Sequence, residues 1–389
     1  MFKFNFDIDH DHELDEAVFG LPTEPEVLER KQDDVVSLTP CTEHALNELL
    51  DSIPPLISYS PIKIPLNESV SSVTLLRRDL FDARFQLIAE EGNEESPDQN
   101  PQSRLKQELK FVDAPSDLVP GVYEGGLKTW ECSVDLASHL HSIPDAQNPA
   151  NFLGQTILEL GCGTAIPSLY VFKQVLAALN GTNKTKTELH LQDYNALVLQ
   201  LVTLPNLILT WYTSSLADSY RSFIDDPEIA PVLDLNTPGE LSITPDLKTA
   251  FSQSLASNNI SLRFFSGSWD TFYPEKIAGS TGYDVLLTSE TIYSPESLEP
   301  LLNLLQKICA PSPDKQATSL AALSLNDDGK GAHSQSHCIC LVAAKVIYFG
   351  VGGGVEDFVK EVKNRGGNVE TVLEHSVGVG RKVMRLSWD

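Results

Sequence analysis

The stretch from Ile157 to Pro167, ILELGCGTAIP, decides the fold class. An apolar strand pattern runs directly into Gly161 and Gly163, and a helical pattern follows. Glycines at such a turn let the backbone approach a ligand, because a Cβ atom there would collide. A single Gly-x-Gly also fits a plain structural turn, and Ala165 stands where a dinucleotide-binding fold can carry a further glycine. The stretch therefore predicts a strand, a tight turn and a helix, with both interpretations of the turn open.

The sequence after this stretch alternates strand and helix patterns, as is typical of a doubly wound sheet. The predicted strands are 156–160, 188–192, 261–265, 283–288, 338–344, 368–374 and 382–387. The predicted helices between them are 166–179, 195–206, 296–309 and 354–365. The last two strands have only a short link, which predicts an antiparallel pair. The fold class predicted is α/β, with a seven-stranded, mainly parallel, Rossmann-like sheet.

Three regions differ in composition along the chain. They are an acidic tail predicted to be disordered, an accessory amino-terminal region and the main domain, at 1–52, 53–117 and 118–389. Short helices are expected near 42–51 and 70–90. Within the main domain, 211–259 and 311–336 are polar and are predicted to be surface insertions, since long structureless segments are uncommon inside a compact domain.

The charge of the chain bears on its partners. A formal net charge of −26 argues against direct binding of nucleic acid, since such proteins carry a basic patch, and it favours a basic protein partner. The acidic tail fits either a solvated segment or a docking segment. No apolar run is long enough for a membrane span, and the acidic start is unlike a basic leader. We therefore expect no membrane association, and a cytoplasmic and nuclear location.

The six cysteines show no paired metal-ligand spacing, so no metal site is predicted. Cys338 and Cys340 lie two apart in a strand pattern and should point the same way. Buried thiols explain them better than ligands do.

Two carboxylates at the ends of consecutive strands suggest the cofactor. Glu159, two residues before Gly161, would repel a pyrophosphate but attract the ammonium of an amino-acid-type cofactor, which favours S-adenosylmethionine over NAD. Asp193 ends the next strand, about 30 residues on, where an acid can accept hydrogen bonds from both ribose hydroxyls. Asp193 or Asn195 could instead cap the helix that follows, and the two roles are compatible.

The next two strands also end in polar or aromatic residues. Trp269 and Asp270, in FFSGSWD, suit an adenine ring, although a buried structural tryptophan explains Trp269 equally well. Ser289, Glu290 and Tyr293, in LLTSETIY, follow the fourth strand at the sheet edge where such folds perform their chemistry. These groups stand in an apolar context, which favours a functional role.

Two glycine-rich segments flank these motifs. KVIYFGVGGGVEDF, at 345–358, is predicted to form a loop on the substrate side, since no Lys-Ser or Lys-Thr follows it as in a phosphate-binding loop. PGVYEGGLKTWECS, at 120–133, precedes the first strand and is expected to fold over the cofactor.

In combination, these segments resemble one family, the protein-histidine methyltransferases of the seven-strand class that modify a large-subunit ribosomal protein. The resemblance covers most of 120–355 and is carried, in order, by YEGGLKTWECS, LELGCGTAIPS, DYNALVLQLVTLPN, FSGSW, LTSETIY and KVIYFGVGGG. It implies a class I methyltransferase fold, S-adenosylmethionine as cofactor and methylation of one histidine on the ring nitrogen remote from the main chain. It gives no guidance for 211–259 and 311–336.

The resemblance also implies site residues. Those expected to surround the cofactor are Lys128, Trp130, Glu131, Glu159, Gly161, Gly163, Asp193, Asn195, Ser268, Trp269 and Ser289. The ETIY segment looks like the acid-x-x-aromatic motif that related protein methyltransferases place beside the acceptor side chain. Our hypothesis is that Glu290 accepts the second ring N–H of the histidine and that Tyr293 packs against the ring.

Three alternatives remain open at this point. The same fold could methylate lysine, as related families with an acid-x-x-aromatic motif do. A non-catalytic cofactor-binding module could instead chaperone a basic ribosomal protein through its acidic tail. A nicotinamide-dependent oxidoreductase is disfavoured by Glu159 and by the missing third glycine.

Overall fold

The computed structural model describes residues 39–66, 71–83, 86, 118–119, 123–124, 126–143, 149–179, 185–223, 234–279, 282–310, 338–348 and 352–388. The predicted tail up to residue 38 and the predicted insertion 311–336 lie outside these residues. The described residues belong to one unit, Leu38–Asp389.

The strands of the described part, in chain order, are β1 (Thr42–His44), β2 (Leu56–Pro65), β3 (Ser72–Arg78), β4 (Leu118–Val119), β5 (Tyr123–Glu124), β6 (Thr156–Leu160), β7 (Thr187–Asp193), β8 (Gly239–Ser242), β9 (Ile260–Ser266), β10 (Val285–Ser289), β11 (Ile339–Lys345), β12 (Gly367–His375) and β13 (Arg381–Trp388). The main sheet has the order β1-β9-β7-β6-β10-β11-β13-β12. Strands β9, β7, β6, β10 and β11 pair in parallel, and β13 and β12 add antiparallel. All seven predicted strands are present, each within two residues of its expected bounds, so the α/β fold class is confirmed.

The eighth strand of this sheet corrects the boundary of the predicted tail. β1 pairs antiparallel with β9, with Thr42 opposite Ser266 and His44 opposite Phe264. Helix α1 (Leu46–Ser52) follows and buries Leu49 and Leu50. The residues from 39 to 52 are therefore part of the folded unit. A three-residue strand carries too little periodicity to be recognised in a sequence.

The other described helices are α2 (Glu131–Ser142), α3 (Ile166–Ala178), α4 (Ala196–Val198), α5 (Leu204–Tyr212), α6 (Asp218–Phe223), α7 (Pro245–Ser257), α8 (Pro274–Ile277), α9 (Pro295–Cys309) and α10 (Val355–Asn364). Three predicted helices match α3, α9 and α10 within one residue. The fourth, predicted at 195–206, continues to Tyr212, because a π-helical turn, Leu199–Thr203, joins α4 to α5.

Two other expectations hold only in part. The segment 70–90 begins with β3, which pairs with β2 from Ser72 to Arg78, and its described helical residues are 80–83 and 86. The segment 211–259 is more than a surface insertion. β8 pairs with β2 in a second sheet of order β3-β2-β8, and α7 buries Leu247, Phe251 and Leu255 before the chain enters β9. These three residues are four apart, so one helix face packs on the core.

Strand β6 lies at the centre of the main sheet and is buried at every position. Its alternate residues enter different apolar clusters. Ile157 joins the cluster built with α2, α3, α5 and α7, and Leu158 and Leu160 join the one built with α9 and α10. Because side chains alternate across a strand, the sheet is covered on both faces. Because β6, β7, β10 and β11 run parallel, their carboxyl ends lie at one edge of the sheet.

No single helix within the described ranges is long and apolar enough to span a membrane. One bent pair, Ala196–Tyr212 with Ser215–Phe223, passes the same test by length and composition.

Candidate active site

The turn after β6 contains two glycines in the left-handed region, Gly161 with φ 60° and Gly163 with φ 52°. A Cβ atom on Gly161 would lie 2.6 Å from Cγ2 of Thr291, and one on Gly163 would lie 3.0 Å from the carbonyl oxygen of Gly126. The glycines are thus required by their own backbone conformation and by neighbouring protein atoms. The contact with Thr291 joins this loop to the ETIY segment.

Two side chains from the helical segment after β7 support the turn after β6. Thr203 Oγ1, in the π-helical turn, donates a hydrogen bond of 2.7 Å to the carbonyl of Gly163. Asn206 Nδ2 donates one of 3.0 Å to the carbonyl of Thr164, and its Oδ1 accepts the backbone N–H of Arg78, in β3, at 2.7 Å. All these side chains are buried. Such π-turns recur at functional sites, and here the turn places Thr203 against the loop.

Glu159 is fully buried beneath the loop. Its Oε2 accepts the backbone N–H of Ser168, in the first turn of α3, at 2.9 Å, while its Oε1 has no hydrogen-bond partner among the described residues. Burial raises the pKa of Glu159 to about 8. An ammonium group beside Oε1 would supply the missing partner and favour the carboxylate form. The site therefore fits the amino-acid end of S-adenosylmethionine.

Asp193 and Asn195 lie beside the same loop. Asp193 Oδ2 accepts the backbone N–H of Gly163 at 2.9 Å, and Oδ1 accepts that of Asn195 at 3.1 Å. Asn195 Oδ1 accepts the N–H of Leu197 at 3.0 Å and so caps α4. The capping role is thus observed for Asn195, whereas contact of Asp193 with a ribose stays a prediction.

Trp269 stands on the other side of Gly161. Its indole N–H donates to Oε1 of Gln192 at 2.8 Å, and Nε2 of Gln192 donates to the carbonyl of Gly267 at 2.8 Å. The Ser268 hydroxyl is engaged locally, where it accepts the N–H of Asp270 at 3.3 Å. The half-buried indole ring remains beside the loop, so stacking on adenine stays a prediction.

At the end of β10, Ser289 leads into Glu290, which has the left-handed φ of 59°. Glu290 Oε2 accepts a hydrogen bond of 2.6 Å from the Tyr348 hydroxyl, and that hydroxyl accepts the backbone N–H of Lys345 at 3.2 Å. Burial, followed by the nearby Glu290 charge, raises the pKa of Tyr348 well above its ordinary value, so the hydroxyl stays a donor. Glu290 Oε1 is buried and has no hydrogen-bond partner among the described residues.

The Lys345 ammonium lies in front of this carboxylate. Its Nζ is 4.1 Å from the centre of the Trp130 ring, 3.9 Å from Oε2 of Glu131 and 3.8 Å from Oε1 of Glu290. Trp130 and Glu131 therefore face the Glu290 side of the site, and Lys128 precedes them along the chain. Thr129 Oγ1 joins this segment to the turn after β6 through a 3.0 Å contact with the Thr164 hydroxyl. That Lys128, Trp130 and Glu131 touch the cofactor stays a prediction.

The glycine run after the IYFG motif packs on the ETIY backbone. A Cβ atom on Gly353 would lie 2.3 Å from the carbonyl oxygen of Tyr293 and 2.4 Å from that of Ile292. The Tyr293 ring lies 6.3 Å from the Tyr348 ring, edge to face. The described part of this run thus supports the ETIY segment, while 349–351 lie outside the described residues.

Comparison of the sequence with known proteins identifies the family of this chain. No protein-family model matches the chain. Among solved structures, magnesium protoporphyrin IX methyltransferase from Synechocystis PCC 6803 with bound SAH is 8% identical, with a TM-score of 0.34 over 78% of this chain and 94% of that chain. Histidine protein methyltransferase 1 of Schizosaccharomyces pombe is 31% identical over 347 residues, which cover 87% of this chain and 83% of the relative. The protein of that name from Saccharomyces cerevisiae is 32% identical over 315 residues, covering 78% of this chain and 73% of the relative.

The chain belongs to the histidine protein methyltransferase 1 family. It is therefore a methyltransferase, and its cofactor is S-adenosylmethionine, as the sequence predicts. In this family member the predicted residues divide between two sides of one sheet edge. Glu159, Gly161, Gly163, Asp193 and Trp269 gather around the turn after β6. The other side holds Trp130, Glu131, Ser289, Glu290 and Tyr293.

Sequence reasoning missed five residues of this histidine protein methyltransferase 1 family member, namely Gln192, Thr203, Asn206, Lys345 and Tyr348. Each falls within or next to a motif already singled out. Their roles depend on contacts between strands and helices that are far apart in sequence. Within the described ranges, no group of three or more His, Cys, Asp or Glu side chains could hold a metal ion.

Proposed function

We propose that this methyltransferase transfers a methyl group from S-adenosylmethionine to a histidine of a large-subunit ribosomal protein, on the ring nitrogen remote from the main chain. One observation carries the proposal. Glu290 has one oxygen held by Tyr348 and one buried oxygen, Oε1, with no hydrogen-bond partner among the described residues. Such an oxygen suits a ring N–H.

A neutral imidazole has one N–H donor and one nitrogen with a lone pair. When Glu290 Oε1 accepts the N–H, the other nitrogen keeps its lone pair and becomes the nucleophile. The carboxylate therefore selects the tautomer as well as the orientation of the ring. If the bound N–H is the one nearer the main chain, the remote nitrogen is methylated.

S-adenosylmethionine supplies an electrophilic methyl group on a sulfonium centre. The lone pair of the ring nitrogen forms the new N–C bond, and the pair of the broken S–C bond stays on sulfur. The ring thereby becomes cationic, and the Glu290 carboxylate stabilises this charge. Glu290 can then take the N–H proton and leave a neutral methylhistidine. Alignment of the two reactants contributes much of the rate in such a reaction.

On the cofactor side, Glu159 Oε1 would bind the ammonium and Asp193 would bind the ribose. The role of Glu159 follows from the fit described above, and that of Asp193 rests on its position at the end of β7. The ribosomal substrate rests on the resemblance of the motifs and on charge, because a chain of net charge −26 favours a basic partner.

The proposal is tested by incubating the full chain with labelled S-adenosylmethionine and purified large-subunit ribosomal proteins, followed by mass mapping of the modified residue. We expect methylhistidine in one protein. Glu290→Gln, which keeps an acceptor for Tyr348 but loses the charge, should reduce the rate by about 100-fold or more. The matched control is Glu296→Gln, an exposed position in the first turn of α9. Methyllysine as the product, or full activity of Glu290→Gln, would refute the assignment.

A further inference from the structure

The Lys345 ammonium lies beside Glu290 Oε1, the proposed binding position of the acceptor. Lys345 ends β11, and its ammonium lies over the face of the Trp130 ring at 4.1 Å, an arrangement in which the ring quadrupole attracts the charge. The side chains of Lys345 and Glu290 are 17% and 10% exposed, so water screens the pair only partly.

The distances make Lys345 a neighbouring charge rather than a hydrogen-bond partner. Its Nζ is 3.8 Å from Glu290 Oε1 and 3.9 Å from Glu131 Oε2, both beyond the range of a hydrogen bond. Glu290 Oε1 therefore keeps its capacity to accept a proton donor. Any donor that binds it arrives close to a positive charge.

Tyr348 occupies Glu290 Oε2, so the acceptor side chain binds Glu290 through Oε1. Its hydroxyl receives the N–H of Lys345 and donates to Glu290 Oε2, so its hydrogen-bonding direction is fixed. Lys345, at the end of β11, and Tyr348, three residues later, thus act on the two oxygens of Glu290. Tyr348 binds Oε2, and the Lys345 ammonium lies beside Oε1.

We propose that Lys345 determines the specificity of this site for a neutral acceptor, by repelling cationic side chains from Glu290 Oε1. This inference rests on the proposed function. A neutral imidazole N–H meets no charge repulsion there when it binds, and the positive charge that the ring gains on methylation is removed when Glu290 takes the N–H proton. A lysine side chain is almost entirely an ammonium at neutral pH, so it must either enter as a cation or lose its proton first, and both routes cost free energy. The Lys345 ammonium lies 3.8 Å from Oε1 in a partly desolvated site, so it repels a second ammonium bound to that oxygen, and we expect this repulsion to change the rate ratio by about tenfold or more. Lys345 thereby separates histidine from lysine methylation within one fold.

The test compares acceptors within one substrate. The substrate protein that the wild-type chain methylates is prepared with its mapped acceptor histidine either kept or replaced by lysine. Initial rates on both forms are measured for the wild type, Lys345→Met and Lys345→Arg. Lys382→Met is the matched control, because Lys382 pairs with Glu374 on the neighbouring antiparallel strands. S-adenosylmethionine affinity and the unfolding temperature are measured for each variant.

We expect the lysine-to-histidine rate ratio to rise about tenfold or more in Lys345→Met and to stay at the wild-type value in Lys345→Arg and Lys382→Met. An unchanged ratio in Lys345→Met would overturn the inference. So would an equal loss of both rates in a folded variant with normal cofactor affinity, because Lys345 would then serve the reaction itself. If Lys345→Met does not fold, Lys345→Gln carries the same comparison. Failure of the wild type to produce methylhistidine would instead refute the proposed function.

Discussion

The Tyr348 hydroxyl donates a hydrogen bond of 2.6 Å to Glu290 Oε2 across 58 residues of sequence. It connects the two motifs that flank the proposed acceptor position, ETIY and KVIYFG. Glu290 adopts a left-handed backbone conformation directly after β10, and its side chain reaches Tyr348, three residues after the end of β11, the strand that pairs with β10. The orientation of the carboxylate therefore depends on a second strand.

Tyr348→Phe should leave the Glu290 carboxylate in place but remove the hydrogen bond that fixes its orientation. A hydrogen bond to a charged group contributes about 1.5–3 kcal/mol, so we expect kcat to fall by roughly 10- to 100-fold. Methylation should also lose its preference for one ring nitrogen, which mass spectrometry of the two methylhistidine isomers detects. Tyr273→Phe, on an exposed side chain, is the control. A single isomer formed at the normal rate would contradict the role of Tyr348.

Gly161→Ala should destabilise the turn for two separable reasons. Its φ of 60° costs an alanine roughly 1–2 kcal/mol, and the new Cβ would lie 2.6 Å from Cγ2 of Thr291. Thr291→Ser removes that methyl group but keeps the hydroxyl that contacts Thr288 at 2.7 Å. We expect the double variant to recover part of the lost free energy of unfolding, measured by denaturant titration. No recovery would mean that the backbone conformation alone matters.

Binding of S-adenosylmethionine should release a proton from Glu159. The pKa of Glu159 is raised to about 8 by burial, so the carboxyl group of the free enzyme is mostly protonated at pH 7. An ammonium beside Oε1 lowers this pKa, and affinity should therefore increase as the pH rises towards 8. Calorimetry in buffers of different ionisation enthalpy measures the released proton. Glu159→Gln should bind more weakly and release none at this position; the same proton release in that variant would contradict the assignment.

Gly353→Ala should affect the acceptor side alone. A Cβ atom there would lie 2.3 Å from the Tyr293 carbonyl oxygen, so the ETIY backbone must shift. A displacement of about 1 Å near reacting groups can reduce kcat by roughly 100-fold. S-adenosylmethionine affinity should remain near the wild-type value. Gly352→Ala is the control for backbone strain, because its φ of 84° disfavours an alanine while its Cβ would meet only Pro295 Cγ at 3.8 Å. Equal activity of the two variants would contradict this account.

The central strands could be predicted because burial on both faces makes them continuous apolar runs, as in β6 and β10. The short strand β1 could not be predicted, and neither could β3, which forms by pairing with β2 in a segment, 70–90, where only short helices were expected. In the site, Glu159, Asp193 and Glu290 could be found because each carboxylate lies at or just after the end of an apolar strand. Lys345 and Tyr348 could not be assigned roles, since their contacts depend on the order of β10 and β11 in the sheet.

Asn206 connects the amino-terminal sheet to the turn after β6, because its amide binds Arg78 in β3 and Thr164 at the same time. β8, which lies within the catalytic part of the sequence, is likewise completed by β2. The sequence therefore changes in composition at residue 118, but the folded structure has no domain boundary there. A shortened chain that began at residue 118 would lose β2, the partner of β8. It would also lose the Arg78 N–H that binds Asn206 behind the turn after β6. The amino-terminal region and the main domain are therefore parts of one folded unit.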